Sequence, residues 1–334
     1  MSSKLNAYFL ILFTLTTFTY QQDAFRLLQL NSGHVMIISY SSIYLQNKNT
    51  TISPTVKINL DSLSSLQTSD EHKLITIKQY PDDINGYILC RIKQYIYLIA
   101  PDLSSKCYDS PLPSTSVINN AIIVPYKKNE NSFIYFVCYL VENVDDPLRI
   151  QKYTFNKDSC TNVLDNSLNL MPKNLTGNII RPQGICLDCN LMYNDILTCF
   201  FPIVNIYKIG YISFDIKNNL TLLQEFSGSN GIGIEQGSWL RTTQSKDKTK
   251  IFCCIAYTNN EIYCSIYDIT KNKWSNEVKV FEGISTGTDS FYLIYFNETN
   301  EYLIYSNAGN EKKIDVVKFN KNYELISINI SYDY

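Results

Sequence analysis

The sequence predicts an all-β chain built from repeated copies of one strand-rich unit, and three observations predict it. Strand signals dominate: after the first twenty residues no helical i, i+3, i+4 pattern lasts beyond two turns, while β-branched and aromatic runs are frequent. Six of these runs, Val35 to Ile38, Tyr95 to Ile99, Phe133 to Leu140, Ile196 to Phe201, Ile251 to Ala256 and Tyr302 to Tyr305, are apolar nearly throughout. A continuous apolar run marks a strand buried on both faces, which stacked sheets require and a lone sheet does not. The third observation is periodicity. A Tyr, Phe or Ile strand that ends on an acidic or amide residue and opens a polar turn recurs at Asn47, Asp102, Asn156, Asp215, Asp268 and Asn320. These anchors are spaced 55, 54, 59, 53 and 52 residues apart.

Taken in order, the chain opens on a segment of its own kind. Lys4 provides a positive start, Leu5 to Phe18 is apolar or hydroxylic without a charge, and Thr17 and Thr19 are small enough for a cleavage site. Residues 1–20 read as a secretory signal peptide, too short in its apolar run to span a bilayer. The remainder, 21–334, reads as one domain. A buried strand lies upstream of each anchor and a more polar strand follows it, as in Leu220 to Phe226 and Val278 to Phe281. Four antiparallel strands every fifty-odd residues is the dimension of a β-propeller blade. The expected fold is therefore a β-propeller of six four-stranded blades, roughly 24–66, 72–118, 121–170, 178–227, 238–282 and 289–330. Two stacked Greek-key sandwiches are the rival; the steady spacing and the lack of a Pro/Gly/Ser-rich linker at mid-chain count against them. Ring closure is expected either from Phe25 to Leu30 pairing with blade six or from Leu325 to Ile330.

The clearest copy of the repeated turn, Tyr267-Asp268 followed by Asn272 and Trp274, resembles the turn between the third and fourth strands of kelch-type propellers. Phe214-Asp215 with Asn218 and Phe319-Asn320 with Asn322 match in part. The glycine doublet of that family's second strand is absent from every blade. The resemblance implies a propeller-like fold and names no partner.

Composition narrows the function. The formal net charge of -2 gives no footing for nucleic acid or an acidic membrane as partner. The 26 tyrosines fit both a strand-rich fold and an AT-rich coding bias. Ten cysteines in an exported chain favour disulfides over zinc or catalytic thiols. Cys254 and Cys264 flank a turn at Thr258 to Glu261 and fall opposite one another across a hairpin; Cys90–Cys107 and Cys138–Cys160 are expected as further pairs within their blades. Cys186 and Cys189 form one CxxC, read as a local disulfide because no second CxxC or nearby His completes a zinc set. Five sequons, at Asn49, Asn174, Asn219, Asn297 and Asn329, are candidate glycosylation sites in the same compartment.

The two histidines, His34 and His72, lack partners for a triad or a metal, and no Gly-x-Ser-x-Gly elbow, phosphate loop or His-Glu-x-x-His occurs. No metal and no cofactor is expected. Carboxylates remain, and a glycosidase needs only two. Glu235, in the Gly-rich run Gly228 to Gly237, and Asp289 occupy equivalent inter-blade connections and are the candidates for catalysis. Arg181 and Arg241 sit near the starts of neighbouring blades, where side chains can face a central channel. Together the four form a candidate ligand site. The expected function is a secreted or cell-surface module that binds or adheres to an extracellular protein or glycan. A propeller glycosidase acting on an acidic sugar and a surface-coat or matrix protein are the alternatives.

Overall fold

The computed structural model describes residues 26–29, 35–38, 42–46, 55–59, 75–80, 86–92, 95–100, 106–109, 121–140, 148–170, 187–203, 208–218, 220–226, 239–245, 247–256, 261–271, 273–275, 277–282, 291–296, 301–307, 313–319, 325–327 and 332–333. The signal-peptide segment 1–20 and the five sequon asparagines lie outside them. Among the described residues no helix is long and apolar enough to cross a membrane.

The chain folds into six antiparallel sheets, each a meander whose hydrogen-bonding order follows chain order. Blade one holds β1 (Arg26–Gln29), β2 (Val35–Ile38), β3 (Ser42–Gln46) and β4 (Thr55–Asn59). Blade two holds β5 (Ile75–Gln79), β6 (Ile88–Ile92), β7 (Tyr95–Ile99) and β8 (Lys106–Asp109). In blade three are β9 (Ile122–Lys128), β10 (Ser132–Leu140), β11 (Leu148–Asn156) and β12 (Thr161–Leu170). Blade four consists of β13 (Asp188–Met192), β14 (Ile196–Ile203), β15 (Lys208–Asp215) and β16 (Leu220–Phe226). Blade five has β17 (Trp239–Gln244), β18 (Lys250–Ala256) and β19 (Glu261–Asp268), with an outer edge split into β20 (Lys273–Trp274) and β21 (Val278–Glu282), both paired to β19. Blade six repeats that arrangement: β22 (Phe291–Phe296), β23 (Glu301–Asn307) and β24 (Lys313–Phe319), with β25 (Leu325–Ser327) and β26 (Tyr332–Asp333) both on β24.

The first strands β1, β5, β9, β13, β17 and β22 pack side by side in succession, and β22 packs back onto β1. This closed ring is a six-bladed β-propeller. Neither strand exchange expected from the sequence closes it: β1 pairs with β2 in its own blade and β25 with β24 in its own. Closure comes from packing of one blade on the next.

That packing explains the continuous apolar runs. Side chains alternate between the two faces of a strand, and here both faces meet a neighbouring blade. On β10, Phe133, Tyr135 and Val137 pack with Tyr80, Leu89, Ile96 and Leu98 of blade two. The intervening Phe136 and Cys138 pack with Leu191, Leu197 and Phe214 of blade four. On β14, Leu197 and Cys199 face blade three while Phe200 faces Leu240, Ile251 and Tyr267 of blade five. Even an arginine is enclosed: Arg91 on β6 is fully buried and its Nη1 donates to the Ala121 carbonyl at the start of blade three, 2.7 Å away. Burial pulls its guanidinium down to about 9.

Three of the six periodic anchors, Asn156, Asp215 and Asp268, are turn caps between third and fourth strands; Asn47, Asp102 and Asn320 lie outside the described residues. Asn156 Oδ1 accepts the amides of Asp158 (3.0 Å) and Ser159 (3.2 Å). Asp215 Oδ1 accepts the amides of Lys217 (2.9 Å) and Asn218 (3.0 Å), and its Oδ2 accepts Asn218 Nδ2 at 2.7 Å. Asp268 Oδ1 accepts the amide (3.0 Å) and hydroxyl (2.6 Å) of Thr270. A short acceptor side chain at that one position satisfies amides the turn would otherwise leave unpaired, which is why Asp or Asn recurs there. The Asn218 amide and side chain hold the Asp215 carboxyl below its usual range. A carboxylate depressed in the folded state adds stability above its unfolded pKa (~3.9) that is lost as pH falls through the lower folded value. Thermal melts across acidic pH should therefore show Asp215→Asn less acid-sensitive than the parent; parallel curves would contradict the capping role.

The disulfides require corrections. Cys107 pairs not with Cys90 but with Cys160, joining β8 of blade two to the turn after β11 of blade three, Cα atoms 5.5 Å apart. Cys90 lies on β6, two strands from Cys107, a separation of about 9.6 Å that a disulfide cannot bridge. Nor can Cys138 reach Cys160. Cys138 faces Ile150 in mid-strand, while Cys160 lies past the Ser132–Asn156 end of the same hairpin, about 20 Å along it. The CxxC does not pair with itself: Cys189 bonds Cys199, its partner across β13 and β14, and Cys186 lies outside the described residues. Cys254 and Cys264 are cross-strand partners on β18 and β19 and are bonded. Cys90, Cys138 and Cys253 are buried free thiols.

Candidate functional site

Strand alternation gives the ring two faces. Turns joining first to second and third to fourth strands emerge on one, including all three capped turns. Connections joining second to third strands, and each blade to the next, emerge on the other. The segment leaving β16 at Phe226 and re-entering at Trp239 carries Glu235; the one between Glu282 and Phe291 carries Asp289; the one between Leu170 and Asp188 carries Arg181. These three residues lie outside the described residues, so of the four predicted site residues the structure places only Arg241.

Arg241 is half-buried on β17, the innermost strand of blade five, and its Nη1 donates to the Leu240 carbonyl at 3.1 Å. The neighbouring side chains fix its side of the sheet. Leu240 enters the core shared with blade four, and Thr242 Oγ1 accepts Asn190 Nδ2 of blade four at 2.7 Å. Alternation therefore turns Arg241 toward blade six, whose first strand packs on β17.

Behind Arg241 lies a buried polar cluster on the inner ring. Asp188, the first residue of β13, accepts the Thr242 amide on Oδ2 at 2.8 Å and its neighbour's amide, from Cys189, on Oδ1 at 3.0 Å. Lys78 on β5, two blades away, brings its Nζ to 3.9 Å from Asp188 Oδ1. A direct hydrogen bond needs about 3.2 Å or less, so that gap suits a bridging hydroxyl or water. The cluster ties the inner strands of blades two, four and five together and presents a cation and a carboxylate at the ring's centre.

A second polar group stands on the capped-turn face. Asn194 and Asp195, both with φ of 61°, tighten the turn between β13 and β14; Asn and Asp tolerate this left-handed backbone better than other side chains bearing Cβ. The Asp195 carboxylate lies 3.0 Å from Lys217 Nζ and 3.9 Å from Lys127 Nζ, and Tyr193 beside it is exposed. Sequence reasoning missed Lys78, Asp188, Tyr193 and Asp195. Each has a neighbour on another blade more than fifty residues away (Asp188 for Lys78, Thr242 for Asp188, Lys248 for Tyr193, Lys127 for Asp195), and no local motif marks them. Cys138, Cys189 and Cys199 bring three sulfurs within 4.8 Å of one another, but two of them are bonded together, which removes the thiolates a metal would need.

No family model and no curated protein matches the chain. Solved structures do match its fold. A six-bladed β-propeller lectin from the fungus Aleuria aurantia, described with a fucose recognition mode, aligns over 90% of both chains at 12% identity and a TM-score of 0.56. The SapL1 lectin, solved with α-methyl fucoside, covers 92% of this chain and 96% of its own at 11% identity and a TM-score of 0.55. A lectin from Burkholderia pseudomallei covers 91% and 82% at 6% identity and a TM-score of 0.56. Over 90–92% of its length the chain is thus similar in fold to six-bladed propeller lectins.

Proposed function

We propose that the protein is a carbohydrate-binding propeller, secreted or displayed at the cell surface, whose ligands are glycans with fucosylated ones first among them. The observation that carries this reading is the near-complete mutual coverage with propeller lectins. The signal-like leader and three disulfides support an oxidising, extracellular setting. The inter-blade connection face is the binding face. There Arg241, turned toward blade six, is the described member of the site; Asp289, two residues before β22, and Glu235 and Arg181 fall by sequence in connections between blades, outside the described residues. A guanidinium and a carboxylate suit a ring of sugar hydroxyls, since one donates a fork of hydrogen bonds and the other only accepts them. The kelch-like resemblance stays confined to the Tyr267–Trp274 turn and adds no partner.

A glycan array run beside a fluorogenic glycosidase panel tests this on protein secreted with its disulfides formed. The expected result is saturable glycan binding without turnover, weakened about ten- to a hundred-fold by Arg241→Ala, the size of one hydrogen bond to a charged group (~1.5–3 kcal/mol). Turnover abolished by Glu235→Gln would replace the lectin with a hydrolase. Silence on glycans with capture of an extracellular protein would favour protein adhesion.

A further inference from the structure

Cys138 stands on β10 in blade three; Cys189 and Cys199 stand on β13 and β14 in blade four. All three have no exposed surface, and their sulfurs lie within 4.8 Å of one another in a core lined by Val124, Phe136, Ile150 and Leu197. Cys189 and Cys199 are bonded and the Cys138 thiol is free. Cys253 is a different case: it adjoins Cys254 in sequence but faces the blade-four core and not the Cys254–Cys264 bond, because successive residues of a strand point to opposite faces.

We propose that Cys138, Cys189 and Cys199 form a thiol–disulfide exchange centre, in which Cys138 takes over one half of the Cys189–Cys199 bond and links blade three covalently to blade four. The Cys138 sulfur, as thiolate, attacks Cys199 Sγ. A Cys138–Cys199 bond forms as the Cys189–Cys199 bond breaks, and Cys189 leaves with the electron pair and takes up the proton Cys138 released. Attack on Cys189 Sγ gives the mirror product with Cys199 as the free thiol. One disulfide is exchanged for one disulfide, so no oxidant or reductant is needed. Burial drives the Cys138 thiol above the ordinary cysteine range, and the thiolate forms when the interface between blades three and four opens. Together with Cys107–Cys160, which already joins blade two to blade three, the exchanged form makes blades two, three and four one covalent unit.

Cysteine variants secreted from an oxidising host test the proposal by peptide mapping after alkylation in denaturant without reductant. Cys199→Ala should carry a Cys138–Cys189 bond and Cys189→Ala a Cys138–Cys199 bond, with Cys138 protected from alkylation in both. Folded variants in which Cys138 and the remaining partner are both alkylated would overturn it. Should a variant not fold, the parent is held just below its unfolding midpoint at mildly alkaline pH and quenched in acid. Recovery of a Cys138-containing disulfide, with Cys107–Cys160 intact as the internal control, supports the centre. Recovery of Cys189–Cys199 alone, with Cys138 alkylated throughout, rejects it.

Discussion

Replacing Phe200 with alanine is expected to destabilise the protein by about 3–5 kcal/mol, the usual effect of emptying a core aromatic site. Phe200 is fully buried on β14 and packs edge-to-face on Trp274 of blade five, ring centroids 5.9 Å apart at 88°. Met192, Leu240, Ile251, Ile255 and Tyr267 complete its surroundings. Among the described residues no strand pairing joins blade four to blade five, and the backbone link between them is a single turn-to-turn bond from the Tyr193 amide to the Lys248 carbonyl (3.1 Å), so side chains such as this one supply most of what holds the two together. The apolar packing of each blade is with its neighbours, so a void here weakens one interface directly and the ring through it. Denaturant melts of Phe200→Ala and of Val163→Ala, which lies on the exposed edge of blade three at 61% exposure, separate the two cases. The edge variant should stay within about 0.5 kcal/mol of the parent. Equal effects would mean that the blade interfaces are not the source of stability.

The second large effect is expected from the inter-blade disulfide. Cys107→Ala/Cys160→Ala should lower stability by about 2–4 kcal/mol, since the bond closes a loop with a sequence separation of 53 and restricts the unfolded chain accordingly. The contact it spans has independent support: beside the bond, Asp109 Oδ2 on β8 accepts the Asn162 amide on β12 at 2.7 Å. The folded double variant should therefore keep blades two and three in register, with the lost stability arising mainly in the unfolded state. An unchanged denaturation midpoint would show that this staple contributes nothing beyond the contacts around it.

The fold was legible because two physical demands write themselves into local sequence. Capping a tight turn requires a short acceptor at one position, so Asn156, Asp215 and Asp268 recur at blade spacing. Burial on both faces of a strand removes the polar half of the usual alternation, so β10, β14 and β18 read as apolar nearly throughout. Of the disulfides only Cys254–Cys264 was legible, its partners flanking one recognisable turn; Cys189–Cys199 also spans one hairpin, but the CxxC pointed instead to Cys186. Cys107–Cys160 depends on how one sheet lies against the next, and nothing in the spacing of either cysteine encodes that. The same limit hid Asp188, whose partners Thr242 and Lys78 come from blades five and two. Arg241 could be assigned to an inner strand from sequence, but its orientation toward blade six became clear only from Leu240 and Thr242 packing the other way.

The proposal that the connection face of this ring receives glycans is tested most directly by titration of the disulfide-bonded protein with a fucosylated oligosaccharide. Calorimetry should show saturable binding, displaced by free fucose and weakened in Arg241→Ala while the thermal melt of that variant stays unchanged. A correctly folded, disulfide-bonded protein giving no heat with fucosylated or non-fucosylated glycans would contradict it.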